Sequence, residues 1–367
     1  MGVKLLTQPG AGVNPLVDAI NSARSTIDIA IFRFDRKEIE RAMINAVNRG
    51  VQVRALIAYT NRGGEKRLRD LEARLLAAGV TVARTADDLV RYHAKYFIID
   101  QRELFLLAFN FTYLDIEQSR SFGVVTTDKR AVEEASRLFE MDMKRHPYTA
   151  GLDSLIVSPA NARRELAAFI KDAKKELCIY DPCVSDPAMI RALDDRRKNG
   201  VDVKILGHLT RRSTGLPTAK LHDIRLHTRM ILRDGTHAFI GSQSLRTVEL
   251  DQRREVGIVF DDAAVIKSLA QTFLDDWKIA EEAKLKEKAE ETPTTKVAKK
   301  VAKAVVKDLP SVTPMIETAI QEMGGKDVEL VLNPEELEDS VKDAVKHAVK
   351  AVVRDAVAAE PTSVQNK

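Results

Sequence analysis

The feature of this sequence that most constrains its fold is an internal repeat. Residues 22–29 (SARSTIDI) match residues 172–179 (DAKKELCI) in their pattern of polar and apolar side chains, and residues 49–54 (RGVQVR) match residues 199–204 (NGVDVK). Both pairs share an offset of 150 residues. Because a repeated segment folds as a repeated structural unit, the chain is predicted to contain two copies of one domain.

Each copy has the pattern of helix, strand, helix, strand. In the first copy Asn14-Pro15 starts a helix, residues 27–31 form a buried strand, Asp35 caps a second helix, and Gly50 ends it before a strand over residues 51–58. The second copy repeats the order, with Asp186-Pro187 opening its second helix. The apolar faces of three of these helices are Leu16, Ala19, Ile20 and Ala23; Ile39, Ala42, Met43 and Ala46; and Leu166, Phe169, Ile170 and Ala173. Alternating helices and apolar strands predict an α/β sandwich with a mixed sheet covered on both faces.

A second shared pattern carries chemistry. Farther along, the offset falls to 134, and both copies contain His-x-(Lys/Arg)-x-x-x-x-Asp. The shorter second copy lacks the counterpart of residues 61–79, where a helix with Leu68, Leu71 and Leu75 is predicted. We expect each motif to lie on a strand, over residues 96–99 and 230–232, so that the histidine and the cation two residues on project to the same side. The aspartates fall at the following turn, where a carboxylate can bind backbone amides. The six motif residues are His93, Lys95, Asp100, His227, Arg229 and Asp234.

Downstream of the second motif come Gly241-Ser242-Gln243-Ser244 and then Glu255 ahead of an apolar strand. Together with the double motif, these residues make the chain resemble the phospholipase D superfamily over roughly residues 3–277. The copies depart from the family pattern differently. The first keeps Asn110 but has Leu107-Ala108 for Gly-Ser and Ser121 at the position of Glu255, and the second has Arg229 for Lys and Ser244 for Asn.

The resemblance implies two tandem phospholipase D-like α/β sandwich domains with mixed sheets, related by a pseudo-two-fold axis. The composition after these domains adds a helical C-terminal tail. It also implies one shared active site that needs no metal or cofactor and works through a covalent phosphohistidine. By resemblance His93 is the nucleophile and His227 the general acid and base. Glu255 is expected to orient His227, which leaves Ser121 or Glu117 for His93. The expected catalytic residues are the six motif residues and Glu255, and Lys95, Arg229, Asn110, Ser242 and Ser244 are expected to hold the substrate phosphate.

The predicted domain boundaries are residues 1–148, 149–280 and 281–367. Beyond Trp277 the composition shifts to Lys, Glu, Ala and Val, and helical patterns occupy residues 296–308 and 335–358. These helices could pack on the body, self-associate or rest on an anionic membrane surface. We expect instead a charged tail that is helical or partly disordered. Loops carrying Asn61-Arg62 and Arg211-Arg212 are expected at the rim of the cleft, where they either bind substrate or are ordinary solvated charge.

Charge and cysteine content narrow the substrate and the compartment. A net charge of +4 over 367 residues suits an anionic substrate held in a local pocket better than a long nucleic-acid track. The two cysteines, Cys178 and Cys183, provide neither a disulfide framework nor a thiolate metal cluster, and we expect a cytoplasmic protein with at most peripheral membrane contact. The leading expectation is a phospholipid substrate. A metal-independent nuclease and a catalytically silent phosphate-binding protein are the alternatives, and the sequence leaves the oligomeric state open.

Overall fold

The computed structural model describes residues 2–59, 65–210 and 215–289, and a few later positions: 301–302, 304–306, 309, 345, 348–349 and 351–353. By its internal contacts the chain divides into two units, Met1–Glu281 and Glu282–Lys367. The first unit contains both copies of the repeat.

The elements of the two copies follow one another along the chain. The first copy contains β1 (Val3–Gln8), α1 (Asn14–Ser22), β2 (Thr26–Ile31), α2 (Lys37–Asn48), β3 (Gln52–Ile57), α3 (Glu65–Ala77), β4 (Thr81–Arg84), β5 (Arg91–Tyr92), β6 (Tyr96–Ile99), β7 (Glu103–Leu107), α4 (Tyr113–Glu117), β8 (Ser119–Thr126) and α5 (Lys129–Met143). The second contains β9 (Leu155–Val157), α6 (Ala162–Lys171), β10 (Glu176–Val184), α7 (Pro187–Lys198), β11 (Asp202–Leu209), β12 (Thr218–Ala219), β13 (Arg225–Leu226), β14 (Arg229–Arg233), β15 (His237–Gly241), α8 (Thr247–Asp251), β16 (Arg253–Arg254), β17 (Val256–Phe260) and α9 (Ala263–Ala289).

The two large sheets have the same strand order. The first runs β1-β8-β7-β6-β2-β3-β4, and the second runs β9-β17-β15-β14-β10-β11-β12. In both, three strands at one end are parallel and the others antiparallel, as a helix crossover followed by hairpins produces. The predicted fold of two α/β domains with mixed sheets is therefore confirmed. The boundaries at residues 148 and 280 stay predictions.

The core follows the alternation of side chains along the strands. In the second sheet Met230, Leu232 and Ile240 join a large apolar cluster that also contains the first copy, whereas Ile231 and Phe239 face a separate cluster with α6 and α7. Successive side chains of a strand point to opposite faces, so each strand of this sheet supplies both clusters. One face of the second sheet thus shares its core with the first copy, which fixes the two copies against each other.

Local predictions met different outcomes. The α7 cap is confirmed, because Asp186 accepts hydrogen bonds from the amides of Ala188 and Met189. The cap predicted at Asp35 is wrong: α2 starts after Arg36, and the Asp35 carboxylate accepts from the Tyr113 amide instead, tying the chain before α2 to the start of α4. The helix predicted in residues 61–79 is α3, with Leu68, Leu71 and Leu75 buried.

Several predictions concern residues that are only partly described. The loops with Asn61-Arg62 and Arg211-Arg212 lie outside the described residues, as does most of the predicted helices 296–308 and 335–358. The positions described within those two stretches, 301–302, 304–306, 345, 348–349 and 351–353, are helical. None of the helices among the described residues has the length and apolarity needed to cross a membrane.

Candidate active site

Two short cross-copy ladders bring the motifs together. Strand β5, which leads into His93, pairs in parallel with β16 of the second copy, and the His93 amide donates to the carbonyl of Arg254 at 2.7 Å. Reciprocally, β13 pairs in parallel with β8 of the first copy, and the His227 amide donates to the carbonyl of Arg120 at 3.1 Å. Each motif is therefore held in place by the other copy, which a single copy could not achieve.

His93 lies between a carboxylate and an ammonium group. Its Nδ1 is 2.7 Å from Oε2 of Glu255, and its Nε2 is 2.7 Å from Nζ of Lys95, with all three side chains buried. With Glu255 ionised, one tautomer satisfies both contacts, with Nδ1–H donating to Glu255 and the Nε2 lone pair accepting from Lys95. The ring is thereby oriented with Nε2 as its basic nitrogen. His93 and Lys95 lie just before β6 rather than within it, although their side chains meet as predicted.

The predicted partner of Glu255 is wrong. This carboxylate contacts His93 and not His227. Strand β16 runs beside β5 with Arg254 level with Tyr92, so the next residues, Glu255 and His93, come side by side. The sequence predicted this pair because Glu255 and His227 belong to the same copy.

The partners proposed for His93 within its own copy are also wrong. Glu117 forms an ion pair with Arg36 at 3.5 Å. Ser121 is fully buried, and its hydroxyl has no hydrogen-bond partner within the described part of the chain.

Burial and positive charge set the protonation of this half of the site. Burial lowers the pKa of His93 well below its usual range, and Lys95, Arg229, Arg253 and Arg91 act in the same direction. A neutral imidazole at physiological pH is the form that can act as a nucleophile.

The two groups beside His93 are perturbed as well. Burial also lowers the pKa of Lys95 strongly, and Arg229 adds to the effect while Glu255 opposes it. Burial raises the pKa of the Glu255 carboxyl to about 7, Glu249 acts in the same direction, and Lys95 and Arg229 oppose them. The pKa of the carboxyl that orients His93 therefore falls close to neutral pH.

An aromatic ring closes one side of the site. Phe32, at the end of β2, places its ring centroid 4.6 Å from that of His93, in an edge contact. The guanidinium carbons of Arg33 and Arg91 and the ammonium of Lys95 lie 5.1, 5.6 and 5.3 Å from the same centroid. These contacts fall within the range of cation–π attraction, so one buried ring helps to gather three cations beside the histidine.

His227 has a different environment. Its Nδ1 lies 3.5 Å from Oδ2 of Asp115, a residue of the first copy, and burial lowers the pKa of His227 well below its usual range while Asp115 opposes this. Arg229 donates from Nη1 to the His227 carbonyl at 3.0 Å and from Nε to Oγ of Ser244 at 3.0 Å. Lys95 lowers the pKa of His227, and Arg229 lowers the pKa of His93, so the cation of each motif acts on the histidine of the other.

The remaining predicted phosphate ligands lie beside the motifs and are bonded within the protein. Asn110 donates from its amide side chain to Asp115 at 2.7 Å, and its Oδ1 has no partner among the described residues. The Ser242 hydroxyl accepts from the Val256 amide at 3.1 Å, next to Glu255. Asn110 and Ser242 are both almost completely buried.

The motif aspartates lie at the far end of the strands from the histidines. The Asp100 carboxylate accepts from the amides of Arg24, Ser25 and Thr26 at 2.7 to 3.1 Å and from the Ser25 hydroxyl at 2.9 Å. Asp234 repeats the arrangement with the amides of residues 174–176. The expected binding of backbone amides is present, and the catalytic role of these two aspartates stays a prediction.

Sequence reasoning missed several charged residues near the histidines. Asp115 and Glu249 occupy the same position in the two copies at the offset of 134, so the sequence did contain a signal for them. Arg225 donates to Asp115 at 2.7 Å, and Arg91 stands at the equivalent position of the first copy. Across residues 2–59, 65–210 and 215–289, His, Cys, Asp and Glu side chains form no group of three or more arranged to hold a metal ion.

Comparison with known proteins finds the same domain in both copies. A family model described as the PLD-like domain of cardiolipin synthase matches residues 16–143 and again residues 166–277. A cardiolipin synthase of Clostridium perfringens strain 13 is 22% identical over 351 residues, covering 79% of this chain and 73% of that protein. A mitochondrial cardiolipin hydrolase of Danio rerio is 26% identical over 124 residues, or 34% of this chain, and the chain spans about half of its length (53%).

Two solved structures share the fold over most of the chain. A phosphatidylserine synthase of Haemophilus influenzae aligns with a TM-score of 0.58 at 11% identity, over 76% of this chain and 86% of that one. A polyphosphate kinase of Porphyromonas gingivalis aligns with a TM-score of 0.63 at 17% identity, over 74% of this chain and 50% of that one. At these identities the likeness extends to the fold alone.

Proposed function

This chain belongs to the phospholipase D-like family of cardiolipin synthase domains, and on that premise we propose that it hydrolyses or transfers the phosphatidyl group of a phospholipid at one site shared by its two copies. The observation that carries the proposal is the contact between Glu255 of one copy and His93 of the other, with Lys95 on the opposite ring nitrogen. Relatives named cardiolipin synthase and cardiolipin hydrolase support a phospholipid as the substrate.

In the first chemical step His93 is the nucleophile. The Nε2 lone pair attacks phosphorus and forms an N–P bond, while the bond from phosphorus to the leaving alkoxide breaks and the imidazolium form of His227 gives that oxygen its proton. Glu255 keeps the proton of His93 on Nδ1, so that Nε2 is the attacking atom.

The second step reverses these roles. His227, now neutral, takes a proton from water or from an acceptor alcohol, whose oxygen attacks phosphorus. The N–P bond breaks, and its electron pair returns to Nε2 of His93. Water as acceptor gives hydrolysis and an alcohol gives transfer.

The cations near the histidines hold the phosphate. Lys95 and Arg229, one from each motif, are positioned to bind the equatorial oxygens, whose negative charge must be stabilised throughout the reaction. Binding of the phosphate draws Lys95 from Nε2 of His93 toward an oxygen, which frees the lone pair for attack.

A metal-independent nuclease is the second candidate. The charges of Arg91, Arg253 and Arg225 reach the histidines in addition to those of Lys95 and Arg229. This accumulation of positive charge also suits a substrate with several neighbouring phosphates.

One experiment separates these functions and tests the covalent step. The purified chain is assayed with phosphatidylglycerol, phosphatidylcholine, single-stranded DNA and a bis-aryl phosphodiester, and labelled substrate is quenched in acid during turnover. We expect lipid turnover and label on His93. With the bis-aryl phosphodiester, whose phenolate leaves without an acid, we expect more label in His227→Asn because the base for the second step is missing. Label on His227 would reverse the assigned roles, and label on neither histidine during turnover would rule out the covalent route. No turnover of any substrate by the folded chain would favour a silent phosphate-binding protein.

A further inference from the structure

The two copies provide unequal carboxylates at equivalent places. In the parallel pairing of β5 with β16, Tyr92 is level with Arg254, so the next residues along, His93 and Glu255, come side by side. In the equivalent pairing of β13 with β8, Leu226 is level with Arg120, and the next residues along are His227 and Ser121. Serine is too short to replace the glutamate, and no described residue is a hydrogen-bond partner of its buried hydroxyl. The register that gives His93 its carboxylate therefore gives none to His227.

Asp115 provides a carboxylate to His227 from a different direction. Its Oδ2 lies 3.5 Å from Nδ1 of His227, and both side chains are almost completely buried. Nδ1 has no hydrogen-bond partner within the described part of the chain. Asp115 therefore faces Nδ1 of His227, the same ring nitrogen that Glu255 contacts in His93.

The position of Asp115 is fixed by groups from both copies. Its Oδ2 accepts from the amide and the side chain of Asn110 at 2.8 and 2.7 Å, and its Oδ1 accepts from Nη1 of Arg225 at 2.7 Å. Burial acts to raise the pKa of Asp115, but His227 and Arg225 outweigh it and lower the pKa well below the usual range of an aspartate. The carboxylate stays ionised and is held in one orientation.

The equivalent residue of the second copy has different contacts. Glu249 accepts from the Ser244 amide at 2.7 Å, as Asp115 does from Asn110, and its other oxygen lies 3.5 Å from Arg246 and 3.4 Å from Arg253. Both residues thus brace the loop before their helix. Of the two, only Asp115 forms an ion pair with a histidine within the described part of the chain, and it does so on the side that lacks the glutamate.

We propose that Asp115 is the positioning residue of His227, replacing the carboxylate that Ser121 cannot supply. The inference rests on the proposed function, in which His227 is the general acid and base. Asp115 keeps the proton of neutral His227 on Nδ1, so that Nε2 is the nitrogen that gains and loses the catalytic proton. It also stabilises the imidazolium, whose Nε2 proton goes to the leaving alkoxide. Catalytic hydrogen bonds are often long without substrate and tighten when it binds, which fits the 3.5 Å separation.

The charges around His227 define what a test must detect. Burial lowers its pKa, Arg225, Arg229 and Lys95 lower it further, and Asp115 acts in the opposite direction. Neutralising Asp115 should therefore lower the pKa of His227, by about one unit or more for an opposite charge at this range. The alkaline limb of the activity profile should move to lower pH with it.

The test combines a histidine titration with a rescue. In the full chain labelled with ¹⁵N-histidine, NMR measures the pKa and the tautomer of His227, and because the chain has seven histidines, His227→Gln identifies the signal. We expect the Nδ1–H tautomer in wild type, and a lowered pKa and a kcat reduced by about 10²-fold in Asp115→Asn. Adding Ser121→Glu to Asp115→Asn restores a carboxylate at the register position and should recover activity. Glu249→Gln, the matched loop-bracing control, should move the pKa of His227 far less.

The outcomes are separable from those of the proposed function. A wild-type spectrum with a bare Nδ1 on neutral His227 overturns the proposal even if Asp115→Asn does not fold. An unchanged His227 titration in folded Asp115→Asn overturns it too, as does a folded double variant that recovers nothing. The titration needs no turnover, so it tests the pairing of Asp115 with His227 whichever substrate is correct. Label absent from both histidines would rule out the covalent mechanism but would not contradict this pairing.

Discussion

Replacing Asp100 by Asn distinguishes a structural from a catalytic motif aspartate. The substitution is nearly isosteric, and Asn tolerates the left-handed backbone that this position adopts, with φ of 52°. It removes the negative charge and turns the oxygen that accepts from the Arg24 amide at 3.0 Å into an NH₂ group. The change therefore affects the amide contacts and little else.

The structure supplies the magnitude. Burial acts to raise the pKa of Asp100, but the amides of Thr26, Ser25 and Arg24 outweigh it and lower the pKa from 3.8 to about 2. At about 1.4 kcal/mol for each tenfold change in proton affinity, that difference corresponds to about 2.5 kcal/mol. The carboxylate is partly exposed, and solvent screening reduces the expected loss of stability in Asp100→Asn to about 1–2 kcal/mol.

The sign with pH follows from the lowered pKa. Stabilisation by the Asp100 carboxylate is fully present above the ordinary value of 3.8 and is lost as pH falls through the folded value of about 2. The stability difference between wild type and Asp100→Asn should be constant from neutral pH down to about pH 5 and shrink below about pH 4. A single group with this pKa produces no other pattern.

The assay is urea unfolding followed by circular dichroism, together with kcat on a bis-aryl phosphodiester. We expect Asp100→Asn to unfold at lower urea and to keep its kcat within about threefold, because the Asp100 carboxylate binds the amides of residues 24–26 at the far end of the strand from the histidines. Asp234→Asn is the matched variant in the second copy and should behave alike. An unchanged unfolding midpoint with a kcat reduced by more than about 10²-fold would refute the reasoning and return the aspartates to the catalytic group.

Two further predictions follow from the site. Glu255→Gln should lower kcat/KM by about 10²-fold or more and abolish the acidic limb of the pH–rate profile near pH 7, because burial raises the pKa of Glu255 to about 7 and only the ionised carboxylate holds His93. An acidic limb that persists in this variant would belong to another group. Because two histidines supply the nucleophile and the acid in the proposed mechanism, turnover should survive EDTA and be inhibited by vanadate or tungstate. Activity that is lost in EDTA and restored by a divalent ion would contradict that mechanism.

The sequence by itself determined the repeated fold and supplied most of the candidate site residues. The offsets of 150 and 134 residues predicted two equivalent domains, since hydrophobic periodicity and helix punctuation are local properties that each copy displays independently. The amide-binding role of Asp100 could be predicted for the same reason, because a carboxylate at a turn binds amides close to it in space.

Only the tertiary structure decided which carboxylate lies beside which histidine. Glu255 follows His227 in its own copy, but the parallel pairing of β16 with β5 places it against His93. The reciprocal pairing leaves Ser121 beside His227, where Asp115 provides the charge instead. These contacts form between strands of different copies, whose register is set by the packing of two sheets on a shared core, and no pattern within one copy encodes that register.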